Sequence, residues 1–202
     1  MEKGLMIVIS GPAGSGKGTV NAKLLESDEY AFSVSATTRA PRPGEINGKN
    51  YHFITKEEFE SRIANGEMLE YTCYCGNYYG TPLKEAVEVL ESGRNLILEI
   101  EVEGAMNVKA LYPDAVLIML LPPSFAVQEA RLRGRGTETE AVILQRLART
   151  REELPLVNRY DYVVYNEDAG AEICADDIRA IVRAEKCSVR RHQRASEEYF
   201  EV

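Results

Sequence analysis

Residues 11–19 read GPAGSGKGT, and glycines at this spacing before a lysine are chemistry for holding phosphate. Gly11, Gly14 and Gly16 let the backbone turn tightly and aim successive N–H groups at an anion. Lys17 opens a helix whose N-terminus adds positive potential, and Pro12, Ala13 and Ser15 complete the loop. The apolar run LMIVIS precedes it and a helix starting near Lys17 follows, which is the setting a phosphate-binding loop requires. The strict pattern has Ser or Thr directly after the lysine, to hold magnesium. Here Gly18 intervenes, and Thr19 lies about 100° further round the helix. Thr19 is therefore placed for nucleotide phosphate, and magnesium is left to substrate oxygens, waters and carboxylates outside the loop. Magnesium commonly keeps several waters, so the arrangement is chemically reasonable. The competing account is a glycine-rich turn that binds no nucleotide, and the placement of Lys17 counts against it. The loop alone indicates ATP and phosphoryl transfer but does not identify the acceptor.

A second concentration of chemistry is the arginines. Arg39 and Arg42 form one group, and Arg131, Arg133, Arg135, Arg146, Arg149 and Arg151 form another. Solvated helix faces account for part of the second group but hardly for the turn-rich first. The formal net charge of −8 argues against a general nucleic-acid binder, which needs a basic footprint. An acidic shell with local arginine clusters suits a small anionic ligand in a cleft. The apolar runs LMIVIS and AVLIMLL are far too short to span a bilayer, and the start of the chain has no signal-peptide pattern. The four cysteines have neither disulfide-framework nor zinc-site spacing, so reduced thiols and a cytoplasmic protein are expected.

At 202 residues the chain suits one compact domain with small inserted lobes. Strand candidates LMIVIS, NLILEI, AVLIMLL and DYVVYN alternate with helix-like stretches PLKEAVEVLESG, SFAVQEARLRG and AEICADDIRAIVRAEK. That rhythm predicts a parallel sheet covered by helices on both faces. Thr55 and Glu58 fit a capping box, with Gly66 placed to end the helix. Thr81 before Pro82 fits an N-cap, and Thr137 with Glu140 makes a second capping box. From about residue 36 to 80 the βαβ rhythm breaks, through RAPRPGEINGKNYHF and EYTCYCGNYYGT. Irregular loops and short antiparallel strands are expected there, where a substrate lobe would sit.

The segments SATTRAPRPGEINGKNYHFI, GEMLEYTCYCGNYYGTP and LEIEVEGA resemble guanylate kinase, in that order and at that family's spacing. The later RLRGRGTETEAVILQRL and YDYVVYN match its lid and final strand, and the likeness covers residues 5–183. It implies an α/β fold: a P-loop core with a central parallel sheet flanked by helices, plus an inserted GMP-binding lobe and a helical lid. The core would comprise residues 1–35, 82–125 and 155–190, the GMP lobe 36–81, the lid 126–154 and a tail 191–202. The implied activity is transfer of the ATP γ-phosphate to GMP, and to dGMP, with Mg2+.

By the same resemblance, Arg39, Arg42, Tyr51 and Tyr79 bind the phosphate of GMP, and Glu70 accepts hydrogen bonds from guanine with support from Ser35 and Thr81. Lys17 and its loop cradle the ATP phosphates, Arg131, Arg135 and Arg146 approach the transferring phosphoryl group, and Asn166 lies near adenine. The chemistry agrees: arginine forks match phosphate oxygens, and guanine offers a carboxylate two adjacent N–H donors where adenine offers a lone pair. Without the surrounding pattern, Glu70 would read as an exposed strand-end acid. The dianionic acceptor phosphate needs no strong general base. LEIEVEGA departs from the commoner family form, with Glu99 and Glu101 in place of aspartates and Glu103 where glutamine is frequent. Glu101 is assigned to GMP binding and Glu99 to the magnesium environment through water. Tyr71, Tyr74, Tyr78 and His52 read as structural. The tail beyond residue 183 is expected to be mobile or to extend a helix, its RRHQR available to a partner. The rivals are a kinase of the same fold for AMP or a sugar phosphate, and a guanylate-kinase-like interaction module that has lost catalysis. Monomer and homo-oligomer both stay open.

Overall fold

A computed structural model describes residues 3–74, 76–134, 136, 138–167, 170–193 and 199. Five strands form one wholly parallel sheet: β1 (Met6–Ser10), β2 (Tyr30–Phe32), β7 (Asn95–Glu99), β8 (Val116–Leu121) and β9 (Tyr162–Tyr165). Their order is β2-β7-β1-β8-β9, so β1 is central and the loop after it emerges between two neighbours. Alternate side chains face opposite ways along each strand, and the sequence fills both sides with apolar residues. Ile7, Ile9, Val116, Ile118 and Leu120 pack on one face, against Val20 and Leu24 of α1 (Lys17–Leu24) and Ile178 and Val182 of α7 (Ala171–Lys186). Met6, Val8, Leu96, Leu98 and Leu117 pack on the other. There they meet Ala86 of α3 (Leu83–Glu91) and Ala105 and Val108 of α4 (Val102–Leu111). This is the helix-covered parallel sheet that the apolar runs predict.

The interrupted segment folds into a second sheet, β4 (His52–Phe53), β3 (Ala36–Thr37), β6 (Asn77–Pro82) and β5 (Met68–Tyr74), in the order β4-β3-β6-β5. β6 runs antiparallel to both β3 and β5, as expected of this region. α2 (Lys56–Ala64) carries the expected cap: the Thr55 hydroxyl accepts from the Glu58 N–H, and Gly66 follows with φ 70°. α5 (Phe125–Gly134) and α6 (Glu140–Glu153) make a helical pair beside the phosphate loop, sharing a small core of Leu132, Ile143 and Leu147.

Three expectations are corrected. Thr81 is not an N-cap: α3 is preceded by Pro82, and the Thr81 hydroxyl is committed to Glu70 inside the second sheet. The N-cap of α6 is Thr139, with no side-chain capping bond, not Thr137, which lies outside the described residues. Beyond residue 183 α7 does continue to Lys186 and a 3-10 turn follows at Val189–Arg191, but the start of the RRHQR stretch is not free. Arg190 and Arg191 both donate to buried Glu185, at 2.7 and 2.9 Å, and Arg191 also reaches the Asp114 carbonyl. Tyr162 donates to the same carboxylate, so the chain after α7 is tied back onto β9. Cys73, Cys174 and Cys187 are free thiols, and Cys75 lies outside the described residues.

Candidate active site

The loop after β1 is held open from behind. The carbonyls of Ala13, Gly14 and Ser15 accept, in turn, from Gln128 at 3.1 Å, Arg131 at 3.5 Å and Asn166 at 2.7 Å. Three successive carbonyls anchored to side chains fix the course of the loop before any ligand arrives. Gly16 has φ 92°, and a Cβ there would lie 2.2 Å from the Asn166 amide, so only glycine fits. α1 begins with no side-chain cap and no acid in its first turn. The positive end of the helix is thus not neutralised by an acid of its own first turn, which suits an anion there. Lys17 Nζ donates to the Gly11 carbonyl at 2.5 Å and must swing from it to reach a phosphate.

Lys17 also lines a cleft of about 280 Å³ between the two sheets. Ser35, Arg39, Arg42, Tyr51, Glu70, Tyr79, Glu99, Glu101 and Arg146 line it too, so the residues assigned to GMP, all but Thr81, meet there with Lys17, while Arg131, Asn166 and the rest of residues 11–19 are not among its lining. Glu45, Thr72 and Ile100 join them from outside that set.

Glu70 is only 4% exposed on β5, opposite Thr81 on β6. The Thr81 hydroxyl donates to its Oε1 at 2.8 Å. Burial pushes the Glu70 carboxyl up to about 7, and the Thr81 bonds offset only part of that penalty. A buried acid so placed is poised to gain stability from a ligand that brings N–H donors.

At the turn-rich wall, Arg39 forms a two-pronged pair with Glu45, at 3.0 and 2.9 Å. Glu45 also accepts from the Arg42 backbone N–H at 2.6 Å, so one carboxylate orders both arginine positions. That hydrogen-bonded fork raises the guanidinium's affinity for its proton and lowers that of the Glu45 carboxyl. The Arg39 guanidinium lies 5.5 Å from the centre of the Tyr51 ring and 5.7 Å from that of Phe53, two rings that are themselves 5.8 Å apart, and Tyr51 meets Tyr79 edge to face. The arginine is therefore held at its charged edge by Glu45 and against a pair of adjacent aromatic rings.

On the core side, Glu99 stands at the end of β7, in register with Ile9 beside the loop's origin. Asn21 donates to its Oε2 at 2.7 Å from α1, one turn after Lys17. Glu101 is exposed just before α4 and pairs with Arg149 at 3.7 Å. Arg146 reaches the cleft from α6, paired with Glu138 at 2.9 Å. Arg131 donates to the Asn166 carbonyl at 2.8 Å as well as to Gly14, so both of those residues act on the loop's shape in this structure. Arg135 lies outside the described residues.

Sequence reasoning missed Glu45, Asn21 and Gln128. None has a local signal, because each earns its place through partners brought close by folding; GEIN in the arginine-rich turn was the nearest hint.

Comparison with known proteins supplies a family. A family model described as guanylate kinase matches residues 3–184. The chain is 50% identical to the guanylate kinase of Halalkalibacterium halodurans over 202 residues, covering 100% of this chain and 97% of that one. It is also 50% identical to that of Streptococcus thermophilus over 192 residues, covering 94% and 91%. A crystal structure of guanylate kinase from Anaplasma phagocytophilum superposes with TM-score 0.77 at 36% identity, covering 94% of this chain and 90% of that one. Among the described residues, no helix is long and apolar enough to cross a membrane.

Proposed function

This chain belongs to the guanylate kinase family, and we propose from that premise how its cleft divides the work. The enzyme transfers the γ-phosphate of ATP to GMP, giving ADP and GDP. The observation that carries the reading is the meeting in one cleft of buried Glu70, the Arg39–Arg42–Tyr51–Tyr79 wall and Lys17 of the phosphate loop. Residues 36–81 form the GMP lobe, residues 126–154 the lid, and the remaining segments 1–35, 82–125 and 155–190 the core.

Glu70 accepts from the two adjacent N–H donors of guanine, with Thr81 orienting it and Ser35 at the edge of the base. Arg39, Arg42, Tyr51 and Tyr79 hold the 5′-phosphate of GMP or dGMP. Residues 11–19 and the N-terminus of α1 hold the ATP phosphates, and Asn166 shapes that loop beside the adenine. Arg146 and Arg131, with Arg135 by the family resemblance, act on the transferring phosphoryl group, where charge develops. The reaction needs alignment, neutralisation and exclusion of water more than a base. Both substrates and the protein's composition suit the cytoplasm.

The residues fit a magnesium ion held mainly by substrate. Glu99 supplies an oxygen in the same cleft as Lys17 and is steadied by Asn21, while Gly18 supplies none. Among the described residues no three acids, histidines or cysteines gather as a metal site. Bound there, the ion would neutralise phosphate charge. The test of the reading is GDP formation that requires ATP, GMP and magnesium together. Within it, Glu99→Gln is expected to raise the magnesium concentration for half-maximal rate several-fold and leave GMP affinity unchanged. An unchanged magnesium titration would remove Glu99 from the metal's surroundings.

Glu45→Gln tests the phosphate wall. Loss of the charged fork frees Arg39 to wander, at a penalty of about 1.5–3 kcal/mol for a charge-assisted bond. The expected result is a GMP KM raised about tenfold with the ATP KM unchanged. A lowered GMP KM would mean that Glu45 repels the phosphate more than it orders the arginine.

A further inference from the structure

Gly104 lies buried in the first turn of α4, three residues after Glu101. Its φ is outside the left-handed region, so the backbone does not require glycine. Glycine is also a poor helix former, and its presence inside a helix calls for a packing reason. The reason is visible in its surroundings. A Cβ at Gly104 would lie 3.1 Å from Glu70 Oε2, while the next atoms, both of Ile100, are at 3.5 and 3.6 Å. Only the carboxylate would be crowded.

We propose that Gly104 is a specificity-positioning residue: the space left by its missing side chain is where the second oxygen of Glu70 sits to read guanine. The inference rests on the reading of Glu70 as the base reader. Oε1 is fixed by the Thr81 hydroxyl at 2.8 Å, and Oε2 occupies the space that a Cβ on the first turn of α4 would crowd. Together they set the plane of the carboxylate, which two parallel N–H donors on one base edge require. A methyl at residue 104 displaces Oε2 by a few tenths of an ångström, twisting that plane and spoiling one of the two bonds. The high carboxyl pKa of Glu70 fits the same picture, since the site is shaped to be completed by ligand donors.

The experiment compares GMP with IMP, which keeps the ring N–H and lacks the exocyclic amine, in the wild type, Gly104→Ala, Glu70→Ala and the double variant. The ratio of kcat/KM for GMP over IMP is expected to fall about tenfold in Gly104→Ala, a geometric effect of small displacement. The ATP KM and the melting temperature should stay near wild type. In the Glu70→Ala background Gly104→Ala should change the ratio no further, the mark of a residue acting through another. An unchanged ratio in Gly104→Ala, or an equal drop in both backgrounds, would overturn the proposal. Glu70→Ala that keeps the wild-type preference would instead overturn the base-reader reading. Should Gly104→Ala not fold, Glu70→Asp/Gly104→Ala decides: the shorter acid withdraws from the methyl and restores folding if the clash is with the carboxylate. Failure of that double variant would place the clash elsewhere and end the proposal.

Discussion

Glu70→Gln is expected to lower kcat/KM for GMP by about 10⁴-fold while raising the stability of the ligand-free protein above neutral pH. The first effect follows from replacing a double acceptor with a group that offers guanine one acceptor and one opposing donor. Sites built on polar pairing discriminate by about 10⁴–10⁵ when the pairing fails. The second follows from burial. The carboxyl of Glu70 is raised to about 7, so the folded chain holds its proton more tightly than the unfolded chain. Its contribution to stability is full below the unfolded value near 4.5 and is lost as pH rises through about 7. At pH 8 the buried charge destabilises the fold by about 3 kcal/mol. Glutamine carries no such charge and still accepts from Thr81. The variant should therefore melt several degrees above wild type at pH 8 and near it at pH 4.5, in thermal scans without nucleotide. GMP affinity of the wild type should correspondingly weaken toward tenfold per unit as pH falls below about 7, because guanine needs the ionised acid. A GMP affinity flat from pH 5.5 to 8 would contradict this account of Glu70.

Lys17→Ala is expected to lower kcat about 10³-fold, within the range for removal of one charged stabiliser of a transferring phosphoryl group. The lysine stands at the junction of the phosphate loop and the GMP cleft, where it donates to the Gly11 carbonyl until a phosphate takes over. Its removal leaves the Gln128, Arg131 and Asn166 anchors of the loop intact. GMP affinity, measured by calorimetry without ATP, should stay within about twofold. A Lys17→Ala variant with near-normal single-turnover rates would show that the loop binds nucleotide without acting in the transfer.

How much of this was legible depended on how local each signal was. The phosphate loop could be read because a turn of glycines followed by lysine and a helix is a local structure with a local reason. The core strands could be read because their apolar runs are buried on both faces. β2 has three residues and α4 has no side-chain cap, so neither announced itself. Thr81 before Pro82 satisfied a rule for helix starts, yet its hydroxyl serves Glu70 across the second sheet. Glu70 itself was indicated only through its resemblance, since nothing near it in sequence says that β5, β6 and α4 will bury it. Glu45 is six residues from Arg39, a spacing that fits no regular element; the turn alone folds it back. The same holds for Gln128, which crosses from α5 to the loop at Ala13.

The central claim, a guanine-reading cleft joined to an ATP loop, is tested most directly by ADP formation from ATP and magnesium with GMP, AMP, CMP or UMP as the acceptor. The account predicts rapid turnover with GMP and rates lower by several orders of magnitude with the other three. Comparable turnover with AMP would contradict the role of Glu70, and binding of GMP without turnover of any acceptor would describe an interaction module instead of a kinase.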